Sequence, residues 1–221
     1  TICSVDLGIN TDAVCTIMRP DGTILGRKFI NFPSDKDRMY RVLGRIRRFQ
    51  REHGSRQVQG RWAYAKRLNT ELGKKIAREI VFYASENRAD VIVFEYLEMK
   101  GKLSGKKKQK LQMWRKRDIQ KRCGQQAHRK GIRISRICAW NTSRLAFDGS
   151  GKIDRDIQDH RLCTFQNGKR YNCDLSASYN IGARYFIREI LKPLPATERS
   201  LLEAKVPAVK RRTSCVYADL R

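Results

Sequence analysis

The opening segment of the chain alternates short apolar blocks with turns, and the pattern then changes to a helical rhythm. Positions 2–6 and 13–18 are apolar runs joined by the polar turn Gly8-Ile9-Asn10-Thr11-Asp12. Pro20-Asp21-Gly22 is a turn signal and 24–32 follows as a third strand, which predicts an antiparallel meander. From Asp35 onward Met39, Val42, Leu43, Ile46 and Phe49 recur at helical spacing, with Ser34 or Asp35 as candidate caps. After His53-Gly54-Ser55, a second helix is predicted over about 61–87, carrying Ala65, Leu68, Leu72, Ile76, Ile80 and Tyr83 on one face. Positions 91–94 read as a buried strand ending at Glu95, followed by a loop rich in Lys and Gly over 100–110. A basic helix is predicted over 111–130, stopped by Gly131, and 132–139 supplies a fifth strand.

The stretch 140–172, with Gly149, Gly151 and Gly168, is irregular and reads as a small insertion domain or a mobile loop. A helix over 175–191 closes the core with Ile181, Tyr185 and Ile190 inward, and Pro193 and Pro195 end it. The tail through Lys210-Arg211-Arg212 has little pattern and is expected to be disordered or to pack back. The order β-β-β-α-β-α-β-α predicts a mixed five-stranded α/β sheet flanked by helices, an order found in the ribonuclease H-like fold.

Composition narrows the partners. A chain of 221 residues with 40% hydrophobic residues can form one substantial core or two modest ones. Its 48 basic against 22 acidic residues give a net charge of +26, a field that attracts polyanions, nucleic acid first among them. No apolar run approaches the roughly 18 residues of a membrane span and no signal peptide is present, so a soluble, cytoplasmic protein is expected. The seven cysteines (3, 15, 123, 138, 163, 173 and 215) lack regular spacing and are expected to be mostly buried free thiols. The chain starts at Thr1 directly with a strand, so it is expected to be a piece of something longer.

Three carboxylates stand out against this basic background. Asp6 ends the first strand, Glu95 ends the fourth, and Asp174 opens the last helix. Singly, each has a plain reading: a turn former, a solvated strand end, and a helix N-cap. Together, each after an apolar segment and in topological order, they point to metal-dependent nucleic-acid cleavage. Paired divalent ions need anionic oxygens, and hard Mg²⁺ prefers carboxylates.

The flanking residues carry a family resemblance. Asp6-Leu-Gly-Ile-Asn, Val91-Ile-Val-Phe-Glu95 and Asn172-Cys-Asp174-Leu-Ser-Ala-Ser-Tyr-Asn-Ile181 resemble the three segments of a split RuvC nuclease domain. The match is to TnpB-type transposon-encoded RNA-guided nucleases and the type V CRISPR effectors. Leu111-Gln-Met-Trp114, Gln126-Ala-His-Arg-Lys-Gly131-Ile and Thr142-Ser143 are similar to that family's linking segments, so the resemblance runs from about 4 to 188. It implies that Asp6, Glu95 and Asp174 hold Mg²⁺, or Mn²⁺ in its place, for two-metal hydrolysis of DNA. It also implies guide RNA and target DNA as partners, and action on the nucleoid in a prokaryotic cytoplasm. The corresponding division is a RuvC-like core over 1–139 with a helical insertion at about 35–88, and a target-nucleic-acid-binding insertion over 140–171. The last RuvC segment then covers 172–192 and a basic tail 193–221.

The chain departs from this family in two places. Many members carry two Cys-x-x-Cys pairs in the insertion as a zinc site, but here those positions fall on Ala146, Gly149, Cys163 and Gln166. Cys138, Cys163, Cys173 and His160 have no ligand spacing either, so no zinc is expected. The insertion is instead expected to fold through its own small core or to order on nucleic acid. Asp154-Arg155-Asp156 is similar to the family's third motif, but the run that should follow it appears instead after Asp174, so these acids are read as solvated loop charges.

Lys102, Lys106, Lys107, Lys108, Lys110, Arg115, Lys116, Lys121 and Arg122 lie in a run opposed only by Asp118 and are candidate phosphate contacts. A second basic set covers 38–51 and 56–67, which the resemblance places near the guide–target duplex. Trp62, Tyr64 and Trp114 beside these charges are candidates for base stacking or for core packing. Two other functions compete. One is an RNA-guided binding module with weak or no cleavage. The other is a stand-alone resolvase, which needs a fourth acid near the last helix, from Glu189, Glu198, Glu203 or Asp219.

Overall fold

In the computed structural model, residues 1–8, 11–54, 58–96 and 116–204 are described. Five strands form one mixed sheet in the order β3-β2-β1-β4-β5: β1 (Ile2–Asp6), β2 (Ala13–Met18), β3 (Ile24–Ile30), β4 (Val91–Tyr96) and β5 (Arg133–Cys138). The first three are antiparallel neighbours, whereas β1–β4 and β4–β5 are parallel. Among the described residues five helices accompany them: α1 (Pro33–His53), α2 (Gln59–Glu86), α3 (Lys116–His128), α4 (Cys173–Leu191) and α5 (Ala196–Ala204). The fold is the ribonuclease H-like mixed sheet expected from the element order.

The sheet is a middle layer, because its strands are apolar on both faces. Odd positions of β1 (Cys3, Val5) and even positions of β4 (Ile92, Phe94) join Ile76, Ile80, Val81, Ile119 and Cys123 under α2 and α3. The opposite parity, Ile2 with Val91 and Val93, packs with Leu175, Tyr179, Ile181 and Tyr185 beneath α4. Strands covered on both sides read as continuous apolar runs, as β1 and β4 do.

Helix α4 comes unusually near the sheet because small residues line the contact. Thr16 and Ser178 hydroxyls hydrogen-bond at 2.6 Å. A Cβ added at Gly182 would lie 2.9 Å from Met18 Cε and 3.2 Å from Ser4 Oγ. Asn172 caps this helix by accepting from the Leu175 N–H at 2.9 Å.

Two arginines on α4 cover carbonyls along β5, one of the two edges of the sheet. Arg133 N–H donates inward to Asp90 O, so residues of opposite parity on β5 point their carbonyls outward. Arg184 and Arg188 donate to two of those, Cys138 O at 2.8 Å and Arg136 O at 2.9 Å.

Several expectations are corrected. Helix α1 has neither Ser34 nor Asp35 as its cap; Phe32 is the boundary residue, and Pro33 opens the helix where its missing N–H costs nothing. The stretch 140–172 is not irregular throughout. It contains a three-stranded antiparallel sheet, β6 (Asp154–Arg155), β7 (Leu162–Thr164) and β8 (Arg170–Asn172), over a core of Ala146, Cys163, Phe165 and Cys173. The tail also begins with a helix, α5, because Pro195 lies just before a start that Ala196 and Glu198 favour. All six described cysteines are free, with Cys138 exposed and the others buried. Among the described residues no helix is long and apolar enough to cross a membrane.

The close approach of α4 yields a stability test. Gly182→Val places a branched side chain against Met18 and Ser4, both fully buried, and is expected to destabilise the fold by about 1–3 kcal/mol. Thermal denaturation should show a Tm lowered by roughly 2–4 °C for each kcal/mol.

Candidate active site

Strand parity brings the first two carboxylates together. Asp6 follows Ile2 and Ser4 on the face toward α4, and Glu95 follows Val91 and Val93 on the same face. Val5 and Phe94 are paired in parallel register, so Asp6 and Glu95 come next to one another at the carboxyl ends of adjacent strands. Asp174 enters from the first turn of α4. Because Asn172 does the capping, the Asp174 carboxylate is left for other contacts and accepts a hydrogen bond from the Thr11 side chain.

Electrostatics couples these groups. Burial pushes the Asp6 carboxyl well above its ordinary 3.8, and the charges of Glu95 and Asp174 push it further, while Lys116 and Arg155 oppose the rise. Asp174 is also raised by burial, and the Thr11 hydrogen bond and the Arg155 charge lower it again.

Glu95 is held from both sides. Its Oε2 accepts from Lys116 Nζ at 2.9 Å, and its Oε1 accepts from the Thr142 hydroxyl. All three residues are buried, at 6% (Glu95), 7% (Lys116) and 2% (Thr142) exposure. A buried ion pair survives only with its remaining hydrogen-bond capacity satisfied, and Thr142 contributes to that. Thr142 is itself fixed by Asn180 of α4, whose Nδ2 donates to Thr142 O at 2.9 Å and to Leu145 O at 2.8 Å.

As they stand, no three His, Cys, Asp or Glu side chains among the described residues are close enough to share one ion. The donor chemistry nonetheless suits a hard divalent cation. The three carboxylates belong to one corner of the sheet, and Asp6 is raised because nearby positive charge does not offset its burial and its like-charged neighbours.

The remaining candidates fall into three groups. Lys102, Lys106, Lys107, Lys108, Lys110 and Arg115 lie outside the described residues. Lys121 is exposed on α3, and Arg122 pairs with Asp118 at 2.9 Å. Lys116 differs from an open phosphate contact: it is buried and turned onto Glu95, because position 116 shares the inward face of α3 with Ile119, Gln120, Cys123 and Ala127. That helical spacing was a readable signal, masked by the surrounding lysines. In the Asp154-Arg155-Asp156 segment, Asp156 accepts from the N–H groups of Gln158 and Asp159 and pairs with Arg170 at 3.0 Å, a turn role. The residue between the acids was overlooked: Arg155 is exposed and its charge reaches both Asp6 and Asp174.

No family model matches the sequence, and no curated protein matches it. Two solved structures share the fold. A Cas12f1–sgRNA–target DNA complex is 18% identical, with a TM-score of 0.61 over 81% of this chain and 49% of that one. A CRISPR-Cas12f ternary complex is 17% identical, with a TM-score of 0.58 over 81% of this chain and 38% of that one. The chain therefore spans half or less of the length of either neighbour. At such identities the likeness is one of fold, and it agrees with the fold that the motif resemblance implied.

The raised carboxyls set the pH behaviour of the cation-free protein. A carboxyl raised in the folded state adds stability below its ordinary value of 3.8, and this is lost as pH rises through the raised value. At neutral pH Asp6 therefore weighs against folding. Asp6→Asn in chelator-treated buffer at pH 7.5 is expected to raise the Tm, by roughly 2–4 °C per kcal/mol of relieved repulsion. Scanning fluorimetry checks this, and the gain should shrink as the buffer is made more acidic.

Proposed function

We propose that this chain is the Mg²⁺-dependent endodeoxyribonuclease domain of an RNA-guided effector of the TnpB or type V CRISPR kind. The observation that carries the reading is the convergence of Asp6, Glu95 and Asp174, from three distant chain segments, on one sheet edge where each acid's charge is felt by Asp6. Like charges are not gathered in a buried corner for stability, so a cationic or phosphoryl ligand is the natural reason for them. The net charge of +26 and the fold shared with two guide-RNA or ternary complexes support nucleic acid as the substrate, with guide RNA and target DNA as partners.

In this reading Asp6, Glu95 and Asp174 hold the divalent ions. When bound, such ions lower the pKa of a coordinated water and neutralise charge on the phosphate under attack. Asp6 is rigid because it ends a buried strand. Asp174 is aimed by the Asn172 cap and by Thr11. The exposed Arg155, anchored by one nitrogen to Ser143 O at 3.2 Å, offers its guanidinium to a phosphate oxygen beside the two aspartates. Lys121, with the basic residues of 102–115, contributes sequence-independent backbone contacts.

A second reading, an RNA-guided binding module with weak or no cleavage, is favoured by one observation: both Glu95 oxygens are taken by side chains of the chain itself. One assay separates the two. The full-length protein with its copurifying RNA is expected to cut a matched DNA target in Mg²⁺, and Asp6→Ala or Glu95→Ala is expected to lower the rate by at least 10³-fold (about 4 kcal/mol) while leaving target binding nearly unchanged. Cleavage that persists in either variant would sink the nuclease assignment at this site, and binding without cutting in the unmutated protein would establish the module.

A further inference from the structure

We propose that Lys116 is an internal counter-ion of the carboxylate site: its ammonium closes Glu95 to divalent cations, and a cation enters by displacing it. The inference rests on the metal-site reading above and concerns what occupies that site beforehand.

Three observations carry it. First, Lys116 is buried at 7% exposure against a carboxylate buried at 6%, with Nζ 2.9 Å from Oε2. A lysine is held in such a place only by pairing, and the partner here is the acid a cation would need. Second, Lys116 is among the charges that lower the Asp6 carboxyl, so one ammonium serves two of the three acids. It supplies the positive charge that an ion would otherwise bring. Third, the other groups around Glu95 can survive the exchange. The Thr142 hydroxyl has a second acceptor, Ala139 O at 3.2 Å, to which it can turn when Glu95 Oε1 is claimed. Helix α3 has a separate anchor one turn on, where Gln120 Nε2 donates to Glu95 O at 2.9 Å and Arg136 Nε holds Gln120 Oε1 at 3.1 Å.

A divalent ion carries more charge than the ammonium it replaces, so the exchange runs forward once the ion is concentrated enough. The apparent affinity is then reduced by the fraction of molecules in which Lys116 still covers Glu95. Lys116 thus sets a threshold for metal loading, which places the neutral-site and loaded-site forms under the control of one side chain.

The test uses Mn²⁺ as probe, its free concentration read by electron paramagnetic resonance, and no cleavage assay. Lys116→Met is expected to bind Mn²⁺ about tenfold more tightly than the unmutated protein, and Asp6→Asn should remove that binding in both backgrounds. In parallel, the unmutated protein is treated with an amine-acylating reagent with and without saturating Mg²⁺, and peptides are mapped by mass spectrometry. Modification of Lys116 should rise several-fold when the ion is bound. Equal or weaker Mn²⁺ binding by a folded Lys116→Met, or Lys116 that stays protected at saturation, overturns the proposal while leaving the metal site intact. If Lys116→Met does not fold, the labelling of the unmutated protein decides. Absence of any binding sensitive to Asp6→Asn overturns the metal site and the counter-ion together.

Discussion

The structure depends on one electrostatic constraint: a carboxylate at the buried end of β1 must be accommodated next to two others. Burial alone disfavours the charged form of Asp6, and Glu95 and Asp174 add to the difficulty. Much of the surrounding architecture answers this. Arg155 and Lys116 bring positive charge, Thr11 and Thr142 bring hydroxyl donors, and Asn180 fixes the segment on which Thr142 is carried. These residues come from α3, from α4, from the insertion and from the β1–β2 turn, so the corner of the sheet is where separate parts of the chain are tied together.

That corner exists because of packing further away. Helix α4 reaches the sheet through Ser178 and Gly182, and its N-terminus can bring Asp174 to the strand ends only at that short separation. A bulkier interface would both move Asp174 outward and strain the fold. The strand parity of β1 and β4 does the rest, since a one-residue slip would turn Asp6 and Glu95 toward α2 and α3.

Much of this was legible in the residues. The meander, the crossover helices and the three acids are carried by local periodicity and short motifs, which act over a few neighbouring positions. What stayed hidden depends on contacts between distant segments. Lys116 looked like one more cation in a basic run, and the surrounding lysines masked the spacing it shares with Ile119, Gln120 and Cys123 on the interior face of α3. Arg155 was hidden between two acids read as solvated loop charges. The three-stranded insertion was unreadable because its strands are two or three residues long, too short for an alternation to register. Apolar packing holds the segment together. Ala146 and Cys163 are fully buried among Phe165, Phe147 and Tyr171, and Gly149 takes a left-handed turn at φ 79°.

The two arginines on the outer rim of β5 bear on how this protein behaves in company. An unpaired strand edge is a template for another strand, and in a crowded cell it invites sheet-to-sheet growth. Arg184 and Arg188 spend their guanidinium donors on Cys138 O and Arg136 O, so an incoming chain finds those acceptors already used and a row of like charge in its way. The helix that delivers Asp174 therefore also guards the β5 rim, and a change that loosened α4 would uncover those acceptors.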